Sequence, residues 1–190
     1  MPNKGGGQGL LPVAEARERI LAGLSPRQAE TCNLTESMGR VLASDVAARL
    51  SVPVEPVSAM DGYAARVADC GSVGTTLIRI GESAAGRPWT RTLGAGQAVR
   101  IFTGAVIPDG ADCIILQEDV DASAEEDGAS VIIREVPSKG RFIRPAGLDV
   151  KAGEIILAAG TVMSARLIAL ATSAGPVSYT HLTLPTILRV

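Results

Sequence analysis

Short apolar runs rich in valine and isoleucine fill the middle of the chain and most strongly limit how it can fold. Clusters of Gly, Pro and Asp such as IPDGAD and EEDGAS separate these runs, which include TTLIRIGES, QAVRIFTGA, DCIILQEDV and SVIIREVPS. Each run has the length and composition of a β-strand, and the clusters between them are typical of turns. The pattern therefore predicts a compact, barrel-like β lobe over residues 55–144.

Helical patterns lie on both sides of this lobe. From Pro12 to Gly23 the apolar residues fall on one helical face, and the terminal proline and glycine suit the two ends of a helix. Ser164 is suited to cap a second helix over residues 166–174, with Gly175 at its C-terminal end.

The order of these elements predicts an α+β fold. The segment LTESMGRVLASDVAARL predicts one short helical turn and then a strand near residues 40–47. We expect residues 10–54 and 145–175 to form one discontinuous, mixed α/β lobe. The mostly-β lobe of residues 55–144 is then an insertion in it.

The two ends of the chain have a different character. Residues 1–9, MPNKGGGQG, are predicted to be a flexible lead-in without a signal peptide. Residues 176–190 change abruptly in composition, and the string VSYTHLTLPTI looks like translated adapter sequence. We therefore predict a non-native tail there and give no role to His181, the one histidine of the chain.

Composition excludes several classes of function. A net charge of -2 leaves no basic surface for nucleic acid, and 3% aromatic residues leave no platform for stacking bases. The apolar stretches are too short to cross a membrane. The three cysteines are scattered without a CxxC pair, which predicts free thiols, a reducing compartment and a cytoplasmic location.

Common catalytic and nucleotide-binding motifs are also absent from the sequence. With His181 set aside, no Ser/His/Asp, Cys/His or histidine-rich metal arrangement remains. There is no GxxxxGK[ST] phosphate loop, and LGAGQA is interpreted as a hairpin turn because its neighbours are predicted strands.

An acid within a run of small residues is the first candidate site. In VSAMDGYAAR, Asp61 lies among Ser58, Ala59 and Gly62, which would let a ligand or another backbone come close. Asp61 is suited to bind a cation, to accept hydrogen bonds from a ligand, or only to cap its own turn.

Two further segments carry candidate residues with similar alternatives. In RIFTGAVIPDGAD, Thr103 at a strand tip is suited to hold an anion or only to satisfy its own turn. In IRPAGLDV, Arg144 offers a fork for phosphate or carboxylate, and Asp149 is suited to face a cation or an N–H donor. A structural ion pair with turn capping by Asp149 is the simpler alternative.

In this order and spacing, SAMDGYA, RIFTGAVIPDGAD and IRPAGLDV resemble the N-terminal half of the MoeA/gephyrin family, the molybdopterin molybdenumtransferases. The resemblance runs from about Leu10 to Gly175 and includes LTESMGRVLASDV and GEIILAAGTVMSARLIALATSAG. It implies an elongated homodimer that inserts molybdenum from molybdate into adenylylated molybdopterin and releases AMP. It also implies Mg²⁺ as a cofactor and a molybdopterin adenylyltransferase as a possible upstream partner.

The resemblance also implies roles for individual residues. Asp61, Thr103 and Asp149 match catalytic cleft residues of the family, and Ser58 and Arg144 match its substrate contacts. It gives no metal ligands. The family cleft lies between the N-terminal lobes of one subunit and a pterin-binding domain of the other, and that domain would follow Gly175.

The sequence departs from the family pattern at two positions and leaves competing functions open. Val54 to Val57 replace an aromatic-acid pair ahead of SAMDGYA, and Leu148 replaces an acid before Asp149. The expected function is the N-terminal part of a molybdenumtransferase, inactive without the rest. A non-catalytic dimerisation or scaffold module of the gephyrin type is the alternative, and a generic small-molecule binder is the third hypothesis.

Overall fold

The computed structural model describes residues 11–24, 28–175 and 184–187. The predicted lead-in of residues 1–9 and His181 lie outside these ranges. Of the predicted tail, only the backbone of Leu184–Ile187 is described, and its non-native origin stays a prediction.

The described residues divide into two compact units. The first draws on the described residues within 1–46, 157–168 and 181–190, and the second on those within 47–156 and 169–180. All candidate site residues belong to the second unit. Neither helix of the described residues has the length and apolar character that a membrane crossing requires.

The helices and strands of the described residues are as follows. In chain order they are α1 (Val13–Ala22), β1 (Glu30–Cys32), β2 (Val41–Leu42), β3 (Val46–Ala47), β4 (Val57–Ser58), β5 (Gly62–Ala65), β6 (Thr76–Ser83), β7 (Gln97–Ile101), β8 (Cys113–Leu116), β9 (Val120–Ala122), β10 (Ser130–Ile133), β11 (Ile143–Arg144), β12 (Ile155–Leu157), α2 (Ala165–Ser173) and β13 (Leu184–Ile187). Short 3₁₀ turns cover Leu34–Glu36, Val67–Asp69 and Gln117–Asp119.

In the first unit, α1 begins directly after Pro12 and ends at Gly23, whose N–H donates to the carbonyl of Ile20. The proline and glycine therefore mark the helix ends, as predicted. The strands of this unit form a three-stranded sheet in the order β1-β13-β2.

The second unit is built on a six-stranded sheet in the order β8-β5-β7-β6-β10-β9, and its shape follows from one short connection. The edge strands β8 and β9 are joined by only Gln117–Asp119, and four residue steps span at most about 14 Å. A flat sheet of six strands would hold its edge strands about 24 Å apart. The sheet must therefore curl, and it forms a half-barrel.

Aliphatic side chains cover both faces of this sheet. The buried cluster on one face contains Tyr63, Ala65, Cys70, Leu77, Ala98, Cys113, Ile115, Val120, Val131 and Ile133. The other carries Ala64, Leu93, Val99, Ile101, Ala105 and Ile114. Because neighbouring residues of a strand point to opposite faces, β5, β7 and β8 are buried on both sides and lack polar alternation.

The strand β5 lies between β7 and the edge strand β8 and has the sequence GYAA, in which all residues but Tyr63 are small. A Cβ atom on Gly62 would lie 2.0 Å from the carbonyl oxygen of Ile115 on β8, a separation that real Cβ atoms do not show. Glycine at this position therefore permits the close approach of β5 and β8.

The structure confirms the predicted α+β class with a barrel-like β lobe, and it corrects three local expectations. The strand expected near residues 40–47 is two short strands, because Asp45 accepts a hydrogen bond from the N–H of Ala159 at 2.7 Å and the chain bends before it. The strand β5 was not predicted. LGAGQA is not a hairpin, because β6 and β7 on either side of it are parallel.

We expect Gly62→Ala to destabilise the protein by about 1–3 kcal/mol, since the added methyl group must push β5 and β8 apart. Urea unfolding followed by circular dichroism measures this change. Gly71→Ala is the matched control, because a Cβ on Gly71 meets nothing within 4 Å. Equal stability of the two variants would contradict the packing assigned to Gly62.

Candidate functional site

Asp61 and Thr103 meet at one end of the antiparallel pair β5 and β7. Asp61 directly precedes β5, Thr103 follows β7, and the register pairs Gly62 with Ile101. The backbone N–H and the hydroxyl of Thr103 both donate to Asp61 Oδ1, each at 2.8 Å. Asp61 therefore does not cap its own turn, and the Thr103 hydroxyl does not bond to the turn that contains it.

These contacts keep Asp61 ionised. The backbone N–H of Thr103, then its hydroxyl, and then the positive charge of Arg100 lower the pKa of the Asp61 carboxyl, while partial burial opposes the shift. No described residue donates a hydrogen bond to the second oxygen, Oδ2. Asp61 thus presents a charged, partly exposed oxygen that is free to accept a hydrogen bond.

The same contacts change the chemistry expected of Thr103. Both of its donors point to Asp61, so they are not free to hold an anion. The hydroxyl oxygen keeps its capacity to accept. Together, Asp61 and Thr103 form a site of acceptors, which suits ligand N–H and O–H groups better than a phosphate oxygen.

Ser58 organises this region through its backbone. Its hydroxyl donates to the carbonyl of Met60 at 2.6 Å and accepts from the N–H of Met60 at 3.3 Å, so Ser58 caps the turn before Asp61. Its carbonyl accepts from Gly104 N–H at 2.8 Å, and its N–H donates to Ala105 at 2.9 Å. Only 1% of Ser58 is exposed, so its side chain offers little surface to a substrate.

The third motif is tied to the same strand. β11 pairs with β4, which places Ile143 opposite Ser58 and Arg144 opposite Val57. The three motifs that are separated in sequence therefore meet around β4.

Arg144 and Asp149 form an ion pair with each other. Nη2 of Arg144 lies 2.8 Å from Oδ1 and 2.7 Å from Oδ2 of Asp149. The N–H of Asp149 donates to the carbonyl of Val52 at 2.9 Å. Both side chains are exposed to more than two fifths, so a ligand can reach either partner.

The predicted residues thus form two pairs, Asp61 with Thr103 and Arg144 with Asp149. No hydrogen bond or ion pair of the described residues links one pair to the other. Among those residues, no group of three or more His, Cys, Asp or Glu could hold a metal ion.

Sequence reasoning missed Arg100, although it lies in the RIFTGA segment. Arg100 Nη1 donates to the carbonyl of Gly62 at 3.0 Å, and its Nη2 donates to Oε1 of Gln117 at 2.6 Å. The register of β5 against β7 brings these groups together. The pattern of apolar residues did not reveal that register, because both strands are buried on both faces.

Comparison with known proteins gives one consistent family. Residues 11–175 match the family described as MoeA N-terminal region (domain I and II). The molybdopterin molybdenumtransferase of Haemophilus influenzae is 39% identical over 156 residues, which cover 82% of this chain and 38% of that protein. The enzyme of the same name from Staphylococcus aureus is 34% identical over 169 residues, covering 87% of this chain and 39% of the relative.

Solved structures agree with this result. The crystal structure of the molybdopterin biosynthesis MoeA protein from Pyrococcus horikoshii superposes with a TM-score of 0.78 at 31% identity. The match covers 94% of this chain and 46% of the Pyrococcus chain. The chain therefore spans less than half the length of these relatives.

We expect Thr103→Val to raise the pKa of the Asp61 carboxyl, because one of its two donors is lost, and Thr103→Ser to leave that pKa unchanged. Carbon-detected NMR titration of both variants measures the shift. Since the folded-state pKa is depressed, Asp61 stabilises the fold above its unfolded pKa, and this contribution is lost as pH falls through the folded pKa. The valine variant should therefore lose stability at neutral pH and match the parent in acid; an unchanged pKa would exclude the hydroxyl contact.

Proposed function

The chain belongs to the MoeA family as its N-terminal region, and on this premise we propose that it is the N-terminal part of a molybdopterin molybdenumtransferase. The proposed reaction inserts molybdenum from molybdate into adenylylated molybdopterin and releases AMP. The names of the relatives support molybdenum cofactor biosynthesis as the setting.

The observation that carries this proposal is the arrangement of the Asp61 carboxylate against Thr103. Thr103 holds one of its oxygens and leaves the other open to a ligand. The substrate class is rich in donors, since a pterin carries ring and amino N–H groups and a ribose carries hydroxyls. We propose that Asp61 binds and orients one of these groups, and that the Thr103 hydroxyl oxygen accepts a second bond.

Arg144 and Asp149 have a different proposed role. A guanidinium binds phosphate through paired hydrogen bonds, and the exposed ion pair here can open at small cost. We propose that the phosphate of the nucleotide takes the place of Asp149 at Arg144. Asp149 would then be free to accept a hydrogen bond from the substrate. Ser58 supports the site through its backbone and turn.

The described residues form no magnesium site from protein ligands alone. In the pair of Asp61 and Thr103, only Asp61 is an acid. Asp149 is paired with Arg144, and the described residues contain no group of three or more possible metal ligands. We therefore assign no metal ligand here, and the magnesium requirement stays a prediction of the family resemblance. Homodimer formation, a cytoplasmic location and an upstream molybdopterin adenylyltransferase partner likewise remain proposals.

To test the function, residues 11–175 can replace the matching region of the Haemophilus influenzae relative. We expect this chimera to produce molybdenum cofactor in a strain that lacks its own molybdenumtransferase. Asp61→Asn should lower that activity by about a hundredfold or more, since the ligand loses a charged acceptor. The readout is the activity of a molybdenum enzyme in cell extract.

Asp121→Asn is the matched control, because it makes the same substitution on the edge strand β9. There Asp121 forms an exposed ion pair with Arg134. An active Asp61→Asn chimera would remove Asp61 from the reaction. A chimera that folds and dimerises but never supports cofactor synthesis would favour the scaffold alternative. The 190-residue chain alone is expected to release no AMP from adenylylated molybdopterin.

We expect Asp149→Asn to separate function from stability. Because the ion pair with Arg144 is exposed, its loss should change the free energy of unfolding by less than about 1 kcal/mol. The chimera carrying this change should lose at least about tenfold in activity if Asp149 contacts the substrate. A large loss of stability with unchanged activity would instead identify Asp149 as a structural partner of Arg144.

A further inference from the structure

Arg100 is a charged residue of the half-barrel with no role in the function proposed so far. It lies on β7, opposite Tyr63 of β5 in the antiparallel register. Its guanidinium lies over the ring of Tyr63, 5.3 Å from the ring centre, and over that of Phe102 at 4.8 Å. The two rings limit the orientation of the guanidinium plane.

One hydrogen bond of Arg100 goes to the main chain beside Asp61, and the other goes to the side chain of Gln117. Nη1 donates to the carbonyl of Gly62, the next residue, at 3.0 Å. Nη2 donates to Oε1 of Gln117 at 2.6 Å, and the backbone N–H of Gln117 donates to the carbonyl of Asp61 at 3.3 Å. Arg100 thus binds the carbonyl of Gly62 directly, and it contacts the side chain of Gln117, whose backbone N–H binds the carbonyl of Asp61.

The charge of Arg100 has no direct acidic partner. Its hydrogen-bond acceptors are a backbone carbonyl and a side-chain amide, and no described carboxylate forms an ion pair with it. Arg141, by contrast, lies 2.6 Å from Glu135 and 3.5 Å from Asp119. The positive charge of Arg100 therefore remains available to act on Asp61, whose pKa the two hydrogen bonds from Thr103 lower most and Arg100 lowers further.

We propose that Arg100 is a positioning residue for Asp61. It fixes the main chain on the C-terminal side of Asp61 through Gly62 and Gln117, and it supplies the positive charge near the carboxylate. Thr103 then orients the carboxylate itself. The effect on catalysis rests on the proposed function, whereas the effect on Asp61 does not.

The first measurement is the pKa of Asp61 by NMR titration of the 190-residue protein. Arg100→Gln should raise this pKa, because the positive charge is lost, and Arg100→Lys should raise it less. Gln117→Ala should also raise it, since the guanidinium loses one anchor; Gln117 is exposed, so this variant keeps the half-barrel core intact. Arg134→Gln breaks the exposed pair with Asp121 and should leave the Asp61 pKa unchanged.

The second measurement is the kinetics of the chimera. Arg100→Gln should lower kcat/KM by about tenfold to a hundredfold, because a displaced Asp61 binds and orients the substrate less well. Arg100→Lys should recover part of this loss. In the Asp61→Asn background, Arg100→Gln should cause no further loss, since the residue acts through Asp61.

The outcomes test the positioning role of Arg100 separately from the proposed function. An unchanged Asp61 pKa in folded Arg100→Gln and Gln117→Ala proteins would overturn the positioning role. An additive loss on top of Asp61→Asn would overturn it as well, because Arg100 would then act independently of Asp61. If the Asp61→Asn chimera keeps full activity, the proposed function fails, and the pKa shifts still decide whether Arg100 positions Asp61.

Discussion

The close packing of β5 between β7 and β8 is the constraint on which the second unit depends. β5 has a core on each face, and its backbone approaches β8 so closely that only glycine fits at position 62. The small residues around Asp61 follow from this packing as much as from any ligand. Because β5 is held on both sides, the residue directly before it has a defined position, and that residue is Asp61.

Packing on both faces also explains which parts of the fold could be predicted. The strands β6, β7, β8 and β10 are long enough and rich enough in Val and Ile to be recognised, and Pro12 and Gly23 marked the ends of α1. The strand β5 escaped notice because GYAA has no alternation and little β propensity. The parallel pairing of β6 and β7 was missed for another reason. It depends on the route of the chain between the two strands, which the residues of LGAGQA do not indicate.

The sequence nominated the candidate residues, whose roles stay predictions, and it did not reveal their geometry. Asp61, Thr103, Arg144 and Asp149 came from motifs, and the structure joins them as two pairs. A turn cap by Asp61 was one of the alternatives that the sequence left open; in the structure the Ser58 hydroxyl bonds the turn at Met60, and Asp61 bonds Thr103 across the sheet. The roles of Arg100 and Gln117 could not be predicted, because they depend on the strand register and on the connection between the sheet edges. Both features bring together residues that are far apart in sequence.

The short link between β8 and β9 does more than curl the sheet. Gln117 begins this link and contacts both Arg100 and the main chain of Asp61, so the segment that brings the two sheet edges together is also part of the site. Any breathing motion that separates those edges must release Gln117 at the same time. The lifetime of the ordered site is then limited by the lifetime of the closed half-barrel, and amide exchange at Gln117 would report both.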